Sequence, residues 1–137
     1  MRALFLSLIL GLAGTSLCHA QSSADTNRLT AVIIKRHIPA TWLLDGPPTF
    51  RETLLLATNG YCAIATSGVA GSMIATNQYQ GTWRARDEMV VLTMTRSSDK
   101  SVKMPLVTTN YVLRLTTEDL IVSDVSGTSV SHFRKLK

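Results

Sequence analysis

Gln80 to Arg96 reads QGTWRARDEMVVLTMTR, and folding this stretch about Asp87-Glu88 decides the fold class. A two-residue turn there sets Arg86 against Met89, Ala85 against Val90, Arg84 against Val91 and Trp83 against Leu92. One face then collects Trp83, Ala85, Val90, Leu92 and Met94, and the other Arg84, Arg86, Thr93 and Thr95 beside Met89 and Val91. Such alternation belongs to an antiparallel pair with one face in a core and the other in water, so Trp83 points inward.

Working outward, the same chemistry recurs. Thr49 to Thr58, Asn59-Gly60 and Tyr61 to Thr66 form a second hairpin signal, because Asn-Gly tolerates the positive φ angles of a type I′ turn. That turn would face Leu56 with Ala63 and Leu55 with Ile64; both faces are apolar, so the inward one is not distinguished. Leu29 to His37 is apolar and β-branched and reads as a first strand ended by Pro39. Gly46-Pro47-Pro48 and Ser97 to Lys103 read as loops. Tyr111, Leu113 and Leu115 alternate with Val112, Arg114 and Thr116 in a later strand. Leu120 to Asp124, the Ser126-Gly127 turn and Thr128 to Arg134 close the chain. The sum is an all-β antiparallel meander of about eight strands. Such a meander exposes its edges unless it closes into a small up-and-down barrel, which is the expected architecture ahead of an open sandwich.

The N-terminus carries a separate message. Arg2, the apolar run Ala3 to Leu12 and the small and polar residues ending at Cys18-His19-Ala20 have the make-up of a cleaved secretory signal, residues 1–20. The apolar run is shorter than the ~20 residues a spanning helix needs. Cleavage after Ala20 is expected, with a secreted or periplasmic product. Lipid attachment at Cys18 is disfavoured by Thr15 and Leu17 in the positions where such a signal carries Leu and a small residue. Residues 21–27 are too polar to bury and form a leader, leaving 28–137 as one barrel domain. Cys62 is then without a partner and is expected to be buried as a small hydrophobe. The 137-residue chain has a formal net charge of +5, without a dense basic stripe, which argues against a nucleic-acid partner.

Ile38-Pro39-Ala40-Thr41-Trp42 before an Asn-Gly hairpin, Tyr79-Gln80-Gly81-Thr82-Trp83 leading through an acidic turn into Val90-Val91-Leu92-Thr93, and a terminal Phe133-Arg134 together resemble the small secreted bacterial lipocalin-like proteins. In that group a Gly-x-Trp opens a strand, often twice; here Ala40 replaces the first glycine. The resemblance spans about Leu29 to Lys137 and implies a barrel with an interior cavity.

Two readings of the aromatic residues follow. As structure, Trp42 and Trp83 pack across the closed end of the barrel, each N–H finding a carbonyl at the rim. As function, Trp42, Trp83 and Tyr111 wall a pocket for a small apolar or amphipathic ligand. Other chemistry is thinly supported. His37 and His132 would approach if first and last strands pair, but no close-spaced ligand set supports a metal. Asp87-Glu88 and Glu118-Asp119 are exposed turn pairs, and no serine occupies a strand-to-helix elbow. The expected role is thus a non-enzymatic, exported barrel without cofactor that binds a small apolar or amphipathic ligand or acts as an accessory domain of the cell envelope, with a small hydrophobic ligand or an envelope protein as its partner. The alternative is a protein-binding module, such as an inhibitor of an extracellular enzyme, using Gly68–Asn77 or Ser97–Thr109 as its exposed loop.

Overall fold

The computed structural model describes residues 29–137. The signal peptide, its cleavage at Ala20, Cys18 and the leader lie outside the described residues. A short helix, α1 (Ala31–His37), precedes strands β1 (Ala40–Leu44), β2 (Phe50–Leu56), β3 (Tyr61–Ala70), β4 (Met73–Arg86), β5 (Met89–Ser97), β6 (Leu106–Leu115), β7 (Asp119–Asp124) and β8 (Val130–Lys135). Each strand pairs antiparallel with the next, and β1 pairs with β8, closing an eight-stranded up-and-down barrel. Closure leaves no continuous sheet edge, which is why the meander adopts it.

The β4–β5 register is the expected one, from Arg86 opposite Met89 to Trp83 opposite Leu92. Asp87 takes the left-handed conformation at the turn, with φ 52°. Beyond it, Gly81 opposes Met94 while Gln80 opposes Arg96, so Thr95 is the extra residue of a β-bulge. Gly81 is required there. A Cβ on it would run into the Thr93 carbonyl oxygen and come within 2.7 Å of the Met94 Cα.

Two expectations of local structure are corrected. Residues 31–37 form a helix rather than a strand. Thr30 caps it, its side chain accepting from the Ile33 N–H at 3.4 Å, and Lys35, Arg36 and His37 occupy the last turn, where cations complement the helix dipole. Ile34 and Ile38, four residues apart and therefore on one helix face, are completely buried in the core. That burial outweighs the β preference of Val32 and Ile33. The true first strand is Ala40–Leu44, around Trp42.

The second correction concerns the Asn59-Gly60 turn. Gly60 N–H donates to the Ala57 carbonyl at 3.1 Å and Ala57 N–H to the Tyr61 carbonyl at 2.9 Å, and Gly60 alone has positive φ, 85°. This is a type I turn followed by a left-handed glycine, one residue longer than the expected type I′ loop. Leu56 therefore faces Cys62, and Leu54 faces Ile64. The extra residue sets parity for the whole hairpin: Glu52, Leu54 and Leu56 turn inward together.

Candidate functional site

The barrel has two unlike ends. At the base, where α1 and the β2–β3, β4–β5 and β6–β7 turns lie, the interior is filled. Trp42, Leu56, Cys62, Met94, Leu120, Ile34 and Ile38 are all less than 2 % exposed. Trp42 Nε1 donates to the Ile38 carbonyl at 2.8 Å, and Trp83 Nε1 to the Ala57 carbonyl at 2.7 Å. Each ring thus fills the base while its one polar atom is satisfied at the rim, as the structural reading of the two tryptophans requires.

Tyr111, the third candidate pocket residue, is not inside. It pairs with Met89 and Ser123 and is 37 % exposed on the outer wall, while its neighbour Val112 is buried. The cause is a bulge in β6: Val112 opposes Val122 but Arg114 opposes Ile121, leaving Leu113 extra. Leu115 packs against the core, so counting back by twos from it puts Tyr111 inward; the bulge reverses that parity. Trp42 and Trp83 thus share the base core, and Tyr111 stands apart from both.

The mouth, at the other end, has a different lining. On the faces that carry Ile64, Val112 and Phe133 inward, the next positions toward the mouth are Thr66, Asn110 and Ser131, with Thr108 beyond Asn110. All four are half-buried rather than sealed. Directly opposite Thr66 in the register sits Glu52, 7 % exposed, on the same face of β2 as Leu54 and Leu56. Among the described residues no hydrogen bond or ion pair engages its carboxyl, yet neither oxygen is a sealed, unsatisfied atom. Burial alone raises its pKa to about 7. Tyr79, also buried, has its phenol pKa raised by burial and further by the Asp99 and Glu52 charges. Val102, from the β5–β6 connection, is buried in the same core cluster. Sequence reasoning missed Glu52 because both faces of its hairpin were apolar. The signal available was one charged residue in an otherwise apolar period-two run, Glu52-x-Leu54-x-Leu56.

The histidines do not converge. His37 lies in α1, not in a first strand, and His132 sits on the outer face of β8, 2.8 Å from the Asp119 carboxylate and 3.7 Å from that of Asp45, which Arg134 also contacts at 3.1 Å. His132 first, and more weakly Arg114 and Arg134, hold the Asp119 carboxyl below its ordinary range. Among the described residues no group of three or more His, Cys, Asp or Glu is placed to hold a metal ion. Nor is any helix there long and apolar enough to cross a membrane. Outside the barrel, a groove of about 480 Å³ runs between α1 and the β6–β7 turn, bordered by Ile33, Arg36, His37, Pro39, Leu115 and Lys135.

The sequence reads as a loop over Gly68–Asn77, but the structure forms the β3–β4 hairpin there. It is a two-stranded ribbon turning at Gly71-Ser72, with Ala70 opposite Met73 and Gly71 at φ 64°. The neighbouring strands stop short of it: β2 reaches only to Gly68 and β5 only to Tyr79. Val69 is 53 % exposed at its tip, and Met73 and Ile74 are each 73 % exposed. The Ser97–Thr109 segment is less loop-like than expected, since β6 begins at Leu106.

Compared with protein-family models, curated proteins and solved structures, the chain finds no match.

Proposed function

We propose that this chain is an exported, non-enzymatic binding barrel, related in design to the secreted bacterial lipocalin-like proteins, that takes a small amphipathic molecule into the mouth half of its barrel. The observation that carries this reading is the contrast between the two ends of the interior. The base is filled and aromatic-capped, whereas the mouth half sets half-buried Thr66, Thr108, Asn110 and Ser131 and the buried, unengaged Glu52 among apolar Leu44, Val102 and Leu106. A barrel needing only stability would bury apolar side chains throughout, because a buried polar group without a partner costs free energy. An apolar wall with a few convergent polar groups is how small-molecule sites fix a ligand's orientation. The signal-like N-terminus supports export, and N-terminal sequencing of the mature protein beginning at Gln21 is the expected result.

Native mass spectrometry of the protein isolated from its own host tests the reading, with a co-purifying small molecule as the expected result. Backbone NMR then locates it, with shifts expected at Thr66, Thr108, Asn110 and Ser131 and none around Trp42. Absence of any such molecule, together with no response of the mouth residues to added amphiphiles, would overturn the proposal.

A second reading rests on the protruding ribbon. Its exposed Val69, Met73 and Ile74 and its lack of any charged residue between Gly68 and Gln78 suit a protein-binding element, since exposed apolar strands without charge invite pairing. A photo-crosslinker placed at Ser72 in living cells, capturing one partner in the parent and losing it in Ile74→Asp, would favour this reading over the first.

A further inference from the structure

The charge distribution of the barrel is inverted between its two sides. The chain is net cationic, and every described lysine and arginine is exposed, including Arg51 and Arg96 on the strands that flank the mouth. Among the described residues Glu52 is the buried carboxylic acid, and the charges that bear on the Tyr79 phenol are those of Asp99 and Glu52, both negative. The half-buried polar groups of the mouth, Thr66, Thr108, Asn110 and Ser131, are neutral. An anionic ligand placed there would meet a buried acid with no inward cation to balance it, and a neutral one would leave the carboxylate unengaged. A cation would supply the missing counter-charge.

We propose that Glu52 is the recognition group for a small primary-amine cation, whose ammonium donates hydrogen bonds to the Glu52 carboxylate while its short alkyl or aryl body lies against the mouth wall beside Tyr79. This rests on the reading of the mouth as a ligand site and names its ligand class. A charge-assisted hydrogen bond in a partly dry site is among the stronger polar contacts a protein makes. Partnership with an ammonium would also offset the burial that raises the Glu52 carboxyl to about 7, so binding in that range is accompanied by proton release. Short ligands are favoured, because the base below Leu54 is already filled by Leu56, Cys62 and Trp42.

Three isosteric probes separate the possibilities: n-hexylamine, n-hexanol and n-hexanoate, titrated calorimetrically into the purified protein at about pH 8, where Glu52 is mostly ionised and an alkylamine, like a lysine, stays protonated. Hexylamine is expected to bind at least about tenfold more tightly than hexanol, a difference of about 1.4 kcal/mol, with hexanoate weakest. In Glu52→Gln, which keeps the side-chain shape, hexylamine should fall to the level of hexanol, and a cooperative unfolding transition of the variant confirms that it is folded. If hexanol and hexanoate bind but the amine has no advantage, or if its advantage survives Glu52→Gln, the amine assignment is overturned while the ligand-binding reading stands. If none of the three binds the parent protein, both fall.

Discussion

The Trp83 indole N–H donates to the Ala57 carbonyl at 2.7 Å, so a buried residue near the base end of β4 also holds the turn between β2 and β3. The Trp83 backbone N–H reinforces this by donating to the Gly60 carbonyl at 2.8 Å. One residue thus joins two successive hairpins at the base of the barrel and fills the interior between them. Trp83→Ala is expected to lower stability by about 3–5 kcal/mol, because the cavity left by the ring collapses only in part. Arg84→Ala, on the exposed face of the same strand, should change it by less than about 0.5 kcal/mol. Chemical denaturation of both variants beside the parent measures the contrast, and equal midpoints for Trp83→Ala and the parent would contradict the core assignment.

Gly81 is expected to be intolerant of even one added methyl. Its Cβ would meet the Thr93 and Met94 backbone, not a movable side chain, so the β5 bulge must shift or open. Gly81→Ala should cost about 3 kcal/mol, at the upper end of overpacking penalties. Gly127→Ala is the comparison for strain without collision. Gly127 has φ 72° with open space around it, so its cost should stay near 1 kcal/mol. A thermal or denaturant midpoint series on the two variants reads the difference.

Glu52 gives the stability profile a slope of defined sign. Its folded-state pKa is about 7 against an ordinary 4.5. The folded protein therefore holds this proton more tightly than the unfolded chain, and the associated stability is complete below about pH 4.5 and lost as pH rises through about 7. The full loss is roughly 3 kcal/mol. Glu52→Gln cannot ionise, so its stability relative to the parent should be near parity at about pH 4 and higher by up to roughly 3 kcal/mol at about pH 8. Asp99, Asp119 and Asp124 have lowered pKa values from hydrogen bonds to Ser101, His132 and Ser126 respectively. Their contribution has the opposite sign and is lost only as pH falls through the carboxylate range. Unfolding curves of parent and variant across this span distinguish the two slopes, and a gap that did not widen with pH would contradict the burial of this carboxyl.

Cys62 should be inert in the folded protein. It is completely buried, its thiol lies 3.9 Å from the Met94 sulfur, and burial pushes its pKa up to about 11, so almost none is thiolate at neutral pH. A chromogenic disulfide reagent should react with the native protein no faster than it opens, and promptly once denaturant is added. Fast native labelling would place Cys62 outside the core.

Local residue identity determined that this chain is an antiparallel meander and where most of its strands turn, while the first strand it marks, 29–37, is helical over Ala31–His37 and Ala40–Leu44 takes its place. The Arg84/Trp83 alternation specified the β4–β5 pair to the residue, because a two-residue acidic turn fixes register and one face is unmistakably polar. It also put both tryptophans at the base, since a large ring with a single polar atom has few other places to go. Tertiary structure decided the parity of the strands whose two faces look alike. A left-handed Gly60 turned Glu52 inward, and the unpaired Leu113 turned Tyr111 outward; each shifts the chain by one residue, to which hydrophobicity averaged over a window is blind. It also decided that residues 31–37 are helical, because only the closed barrel offers the apolar end that buries Ile34 and Ile38 on one face. The candidate site was hidden for the same reason: whether a lone Glu52 among leucines faces water or the interior is a question of one residue's register, and only closure of the sheet answers it.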